Sequence, residues 1–171
     1  MGKVIPQGEL ILQRREWKRN GKRVVFASGV FDLLHPGHIR LLEQARSHGD
    51  ILVVGIPSDA GVRRAAAPKA GKSRGTEEIE RPITPAAERA EILAALGAVD
   101  YVAEFDDATP HALVMALTPD IHARAGAANK DSIAKREDAD AAAAGVKVVH
   151  IPLEPGFSTT RLLERIQQLR A

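Results

Sequence analysis

The feature that most constrains this chain is a rhythm. Short runs of β-branched and apolar residues recur between longer stretches with helical spacing. The runs at Lys22–Ala27 (KRVVFA), Ile51–Ile56 (ILVVGI), Val99–Ala103, Asp120–Ala123 and Val146–Ile151 (VKVVHI) predict five strands. Their apolar residues are continuous rather than alternating, which predicts a sheet covered on both faces. Between them, Gly37–Ser47 repeats apolar residues at Ile39, Leu41, Leu42 and Ala45. Thr84-Pro85 reads as N-cap and first helical residue before AAERAEILAAL, which Gly97 closes. Thr109-Pro110 repeats that signature before HALVMAL; Ser132–Ala144 is an Ala-rich helix stopped by Gly145, and Ser158 caps a last helix through Gln168. Strand and helix in alternation give parallel pairing through right-handed crossovers. The expected fold is α/β: one Rossmann-like domain with a five-stranded parallel sheet and helices on both faces.

At 171 residues the chain has the length of a single domain. Residues 1–21 read as a helical N-terminal arm carrying the lone Trp17, packed outside the sheet, and 22–171 as the domain proper. No apolar run reaches the roughly 18–20 residues that span a bilayer, and no signal-peptide core opens the chain, so the reading is cytoplasmic, with no membrane partner. Zero cysteines exclude disulfides, thiolate zinc sites and a Cys nucleophile. A formal charge of only +2 and six aromatic residues argue against a nucleic-acid partner.

Two stretches break the rhythm. Ala65–Arg81 carries Pro, Gly, Lys and Arg without apolar periodicity and reads as a mobile loop, with Lys69, Lys72 and Arg74 as cations. Ala125–Asp131 (AGAANKD) is small and polar. The chemistry concentrates elsewhere, in Gly29–His38 (GVFDLLHPGH), which follows the first predicted strand and opens a helix. That puts it at the carboxyl edge of the sheet, where open α/β sheets bind ligands. Gly29 permits close backbone approach to an anion. His35 and His38, three apart, share one helix face, and Gly37 between them leaves room for a phosphate against first-turn amides. Unpaired N–H groups and the positive dipole end make such a helix start an anion site. Two imidazoles there suit phosphoryl-type transfer, which needs charge neutralisation and in-line positioning more than covalent chemistry. A zinc site would want a third ligand, and no neighbouring Cys, Glu or His has the spacing, so no metal ligand is assigned.

The string GVFDLLHPGH resembles the G-x-F-D-x-x-H-x-G-H signature of the nucleotidyltransferase superfamily that includes the cytidylyltransferases. Further blocks are similar to the nucleotidyltransferase domain of ADP-heptose synthases: NGKRVVFASGVFDLLHPGHIRLLEQAR, PSDAGVRR, RPITPAAERAEILAALGAVDYV, TPHALVMALTPDI and GVKVVHIPLEPGFSTTRLLERI. The resemblance runs from about Asn20 to Ile166. It implies transfer of a nucleotidyl group from ATP, or alternatively CTP, to a phosphorylated sugar or polyol, with Mg²⁺ accompanying the triphosphate and a homo-oligomeric state. By it, His35, His38 and Arg161 are catalytic. Gly29, Val30, Phe31, Gly37, Arg124, Ser158, Thr159 and Thr160 would bind the nucleotide, although Val30 occupies a variable place of the signature. Asp32, Asp59 and Arg89 would face the acceptor.

The chain departs from that family where it has Arg124-Ala125-Gly126-Ala127-Ala128 in place of Lys-Gly-Gly-Asp-Tyr. Arg keeps the charge but not the geometry of Lys, so base and acceptor stay open: a cytidylyltransferase for a small polyol or amino-alcohol phosphate and a non-catalytic nucleotide-binding module are the alternatives. Gly71-Lys72-Ser73 imitates a P-loop but lacks its first glycine, Ala standing at 66, and its preceding strand, because VRRAAA reads as helix. His111, His122 and His150 are scattered and read as structural.

Overall fold

A computed structural model of the chain describes residues 1–66, 80–126 and 132–169. The central run Val24–Ser28 (β2) pairs in parallel with Ile51–Pro57 (β3) on one side and with Ile121–Ala125 (β5) on the other. Tyr101–Phe105 (β4) extends the sheet beyond β3, and Lys147–Ile151 (β6) extends it beyond β5. A two-residue strand, Lys3–Val4 (β1), adds to β4, giving a six-stranded parallel sheet ordered β1-β4-β3-β2-β5-β6. The sequence predicts five strands; the sixth is made by backbone pairing, with Lys3 N donating to Asp100 O and Ile5 N to Val102 O.

Side-chain alternation along the strands builds two cores. Val25 and Ala27 of β2 face Pro36–Arg46 (α2) and Ala86–Ala95 (α4), packing with Leu42 and Leu93. Val24 and Phe26 face the opposite layer, formed by Gln7–Arg19 (α1), His111–Leu117 (α5) and Ser132–Ala143 (α6), where Leu10, Trp17, Leu113 and Leu117 are buried. Full burial of a leucine stabilises by roughly 1.5–3 kcal/mol, so each layer is held by several such contributions. Within residues 1–21, expected as a helical arm outside the sheet, only Gln7–Arg19 is helical; Lys3–Val4 joins the sheet as β1, and α1 lies on the sheet itself, with Trp17 tilted against Tyr101 at 4.8 Å. Asp59–Ala66 (α3) and Thr159–Gln168 (α7) complete the helices. The stretch expected as a loop from Ala65 begins as the last turn of α3; Lys69, Lys72, Arg74 and the P-loop imitation lie outside the described residues. No helix among the described residues is long and apolar enough to cross a membrane.

From β2 the chain winds outward through β3 to β4, then crosses to the other side of β2 as β5. The β2/β5 boundary is therefore the point where winding reverses, and a crevice opens there at the carboxyl ends of the strands. Local capping differs from expectation before both α4 and α5, whose cap positions are Pro85 and Pro110 rather than Thr84 and Thr109. Thr84 does not cap α4, whose first turn follows Pro85; its hydroxyl donates to the Asp32 carbonyl oxygen at 3.1 Å instead. Ser158 caps α7 as predicted, its Oγ accepting from Arg161 N at 3.1 Å.

Candidate active site

The turn after β2 is set by Gly29 and Phe31. Phe31 adopts a left-handed backbone, φ 49°, and its ring lies 2.9 Å from where a Cβ on residue 29 would fall, so any side chain there would have to displace that ring. Phe31 is buried and meets His38 edge-on at 5.3 Å. His35 is extended (φ −141°, ψ 164°) and leads into α2 through Pro36 without capping the helix by its side chain. Its imidazole stacks on that of His38, centroids 3.7 Å apart and 12° from parallel. Gly37 makes room: a Cβ there would come within 3.1 Å of both His35 Nδ1 and Phe157 Cβ.

The pair is electrically quiet at neutral pH. Burial, followed by the neighbouring His35, pushes His38 down to about 4. Burial also lowers His35. Two stacked neutral imidazoles avoid the like-charge repulsion that two imidazolium ions would suffer. Nδ1 of each ring is buried without a hydrogen-bond partner in the protein, an arrangement that costs free energy until a ligand or water supplies one.

Both rings line a cleft of about 270 Å³ together with Gly29, Val30, Phe31, Gly37, Ser158 and Thr159. Residues from opposite ends of the chain thus meet at one site, the uncapped start of α2 against the Ser-capped start of α7. Both helix ends carry positive dipole character and amide donors suited to phosphate. Arg161, Thr160 and Arg124 are not among the lining residues. Arg161 Nη1 donates to Gly156 O at 3.0 Å. Arg124 instead ties β5 to α6, its Nη1 2.6 Å from Asp138 Oδ1.

The acceptor-side residues are built into the frame. Asp32 is buried, and its carboxylate accepts from Arg81 Nε at 2.5 Å and from the amides of Ile83 and Thr84. Burial alone would raise its pKa; the Ile83 and Thr84 amides and the Arg81 charge outweigh that and hold it below the usual value. Arg89, 1% exposed, donates to the carbonyls of Thr84, Val30 and Pro57 at 2.8–2.9 Å and to Asp59 Oδ1 at 2.8 Å. In this arrangement Asp32 and Arg89 are internal ties rather than free ligands, and Arg89 fixes the backbone on which the cleft is built. A second, mostly apolar cavity of about 440 Å³ opens beside the first and shares Ser28, Gly29 and Val30 with it; Pro57, Phe105 and Arg81 also line it.

Sequence reasoning missed three contributors. Phe157 stacks toward His35 at 6.2 Å, Arg40 sits 5.4 Å over the Phe157 ring, and Glu154 pairs with Arg40. All three lie within the matched blocks, but nothing in their sequence context marks their contacts with the site.

A family model described as cytidylyltransferase-like matches residues 26–165. The chain belongs to the cytidylyltransferase-like family. The matched span takes in the His35/His38 turn and the first turns of α7, so the whole cleft falls within the family's domain. Among curated relatives, this cytidylyltransferase-like chain is 43% identical over 163 residues to the "Bifunctional protein HldE" of Koribacter versatilis (strain Ellin345), covering 95% of this chain and 31% of that protein. It is 42% identical over 160 residues to the protein of the same name from Rhodopseudomonas palustris (strain HaA2), covering 94% and 30%. The cytidylyltransferase-like domain therefore spans about a third of the length of the curated relatives it matches. Among solved structures, the lipopolysaccharide core biosynthesis protein from Thermoplasma volcanium aligns with TM-score 0.59 and 27% identity over 78% of this chain and 98% of that one. Pantothenate synthetase from Thermus thermophilus aligns with TM-score 0.54 and 16% identity over 89% and 62%, a likeness of fold.

Proposed function

We propose that this cytidylyltransferase-like chain is a nucleotidyltransferase that moves AMP from ATP onto a sugar 1-phosphate of the heptose kind, releasing pyrophosphate. The observation that carries the reading is the cleft in which two stacked imidazoles, each with a buried Nδ1 lacking a protein partner, face a Ser-capped helix start. The preference for ATP and a heptose phosphate rests on the resemblance of the motif blocks to ADP-heptose synthases and on the relatives named HldE.

An oxygen of the acceptor phosphate attacks the α-phosphorus, and the bond to the β-phosphate bridge breaks. Near pH 7 that phosphate is already ionised, so no general base is needed. His35 and His38 donate hydrogen bonds to the non-bridging α-oxygens, where charge develops. A polyphosphate beside them favours their protonated forms and strengthens those bonds. Ser158, Thr159 and Thr160, with Arg161 swung from Gly156 O, hold the outer phosphates, and the backbone of Gly29, Val30, Phe31 and Gly37 follows the nucleotide. Arg124 acts through the β5 end and α6. The larger cavity beside the cleft takes the acceptor, with Arg81 near its phosphate; Asp32, Asp59 and Arg89 hold its walls in register. Among the described residues no group of three His, Cys, Asp or Glu can hold a metal ion, and Asp32 is already saturated by its donors. Those residues fit a Mg²⁺ that arrives on the phosphate oxygens, where it supplies charge neutralisation, rather than in a protein cage. The same reading makes the enzyme a cytoplasmic homo-oligomer.

Pyrophosphate release, measured with ATP and with CTP across a panel of sugar, polyol and amino-alcohol phosphates, tests the reading. ATP with a sugar 1-phosphate is the expected productive pair. His38→Ala should lower turnover at least ~10²-fold with folding intact. Near-normal release by that variant would overturn the mechanism, and nucleotide binding without product from any pair would leave a binding module instead.

A further inference from the structure

We infer that Arg40 of α2 is a positioning residue that latches the α7 cradle onto the histidine cradle, acting through Phe157 and Glu154. The inference rests on the proposal that one triphosphate spans both helix starts. Its basis is an unbroken series of ring contacts. Phe31 meets His38 edge-on, His38 stacks on His35, His35 lies against Phe157, and the Arg40 guanidinium covers Phe157 at 5.4 Å. The same guanidinium pairs with Glu154, three residues before Phe157. Phe157 and Glu154 both line the cleft. Arg40 does not.

This contact matters because α7 is held lightly, with Leu162 and Leu163 only half-buried. That helix buries none of its side chains, whereas α2 buries Leu41, Leu42 and Ala45 in the core. The segment leading into α7 helps place its start, and Phe157 and Glu154 join that segment to α2 through His35 and Arg40. Gly37 belongs to the same device, since a Cβ there would meet Phe157 Cβ at 3.1 Å. An exposed ion pair or cation–π contact is individually weak. Here the two share one guanidinium and fix the separation of two anion-binding helix ends, so their effect appears in the binding of a ligand that must reach both.

The experiment measures binding of Mg-ATP, inorganic tripolyphosphate and AMP to the full chain by calorimetry, for the wild type, Arg40→Ala, Arg40→Lys, Phe157→Ala and the Arg40→Ala/Phe157→Ala double variant. Arg40→Ala should weaken ATP and tripolyphosphate about five- to tenfold, while AMP, whose one phosphate occupies the histidine end, loses less than twofold. A general loosening of the fold would weaken all three ligands alike. Arg40→Lys keeps the charge but not the planar face, and should recover part of the loss. In the Phe157→Ala background, Arg40→Ala should add less than twofold. The latch is overturned if Arg40→Ala binds tripolyphosphate like the wild type, if AMP weakens equally, or if the two substitutions multiply independently. A wild type that binds neither ATP nor tripolyphosphate overturns the nucleotidyltransferase reading itself, and the latch with it.

Discussion

Replacing Arg89 by methionine keeps the length and apolar stem of the side chain and deletes its guanidinium. The structure assigns that group four hydrogen bonds: to the carbonyls of Thr84, Val30 and Pro57, and to Asp59. Each buried acceptor left without a donor costs about 1–3 kcal/mol. Three carbonyls at that cost would sum to about 3–9 kcal/mol, but Asp59 keeps 32% of its side chain exposed and gives water a way in. Breaking a buried ion pair by removing one partner costs about 3–5 kcal/mol, so we expect Arg89→Met to lose about 4 kcal/mol. With a urea m-value of about 2 kcal/mol per molar, the midpoint falls by about 2 M. Total stability of a domain is only about 5–15 kcal/mol, so Arg89→Lys is the companion in case the methionine variant does not fold. An ammonium cannot serve three loops at once, and about half the loss should remain. Adding Asp59→Asn to Arg89→Met should recover about 1 kcal/mol by removing the stranded carboxylate. A midpoint for Arg89→Met within 0.5 M of the wild type (about 1 kcal/mol at that m-value) would refute the assignment of Arg89 as the tie between these loops.

Three further outcomes are expected. His122 is held at about 4 by burial first and then by the charge of Arg124, against 6.5 when unfolded, so the unfolded chain takes up that proton first as pH falls. Its contribution, up to roughly 3 kcal/mol, is complete above pH 6.5, declines between 6.5 and 4, and is gone below. His122→Gln should flatten urea midpoints across that window, and an unchanged slope would point to other groups. Gly37→Ala should leave the thermal midpoint nearly unmoved, because alanine suits a helix, yet lower kcat/KM about tenfold or more by pushing His35 and Phe157 apart; unchanged activity would show that the crowding is relieved at no cost. Ser158→Ala removes the α7 cap and about 1 kcal/mol of local helix stability, read as faster amide exchange at Arg161 with the core unaffected.

Much of the fold was readable because it is written locally. The five long strands announce themselves by β-branched runs, and the GVFDLLHPGH turn carries its own strand-to-helix punctuation. β1 escaped because two residues have no periodicity; its hydrogen bonds come from Asp100 and Val102, nearly a hundred positions away. Thr84 misled for the same reason. Its hydroxyl has the right place for a cap but a better partner in Asp32, brought close only by folding. Asp32 and Arg89 look like catalytic charges in a matched block, and their saturation by Arg81, Ile83, Val30 and Pro57 has no signature along the chain. His35, His38 and Ser158 were legible both as residues and as a shared site, because each marks the opening of a helix at the same sheet edge. Arg40 and Phe157 were not, since a cation over a ring is a meeting of distant segments.

Phe31 carries a consequence for how this turn can vary. A phenylalanine at φ 49° sits in a region that costs a residue with a Cβ roughly 1–2 kcal/mol, and it is retained there by the room it fills between Gly29 and His38. Glycine at 31 would relax the main chain and empty the space behind the imidazole; leucine would fill the space without relaxing anything. The two demands pull toward different amino acids, so substitution at this position trades a comfortable loop against a rigid histidine, and the present residue settles that trade in favour of the histidine.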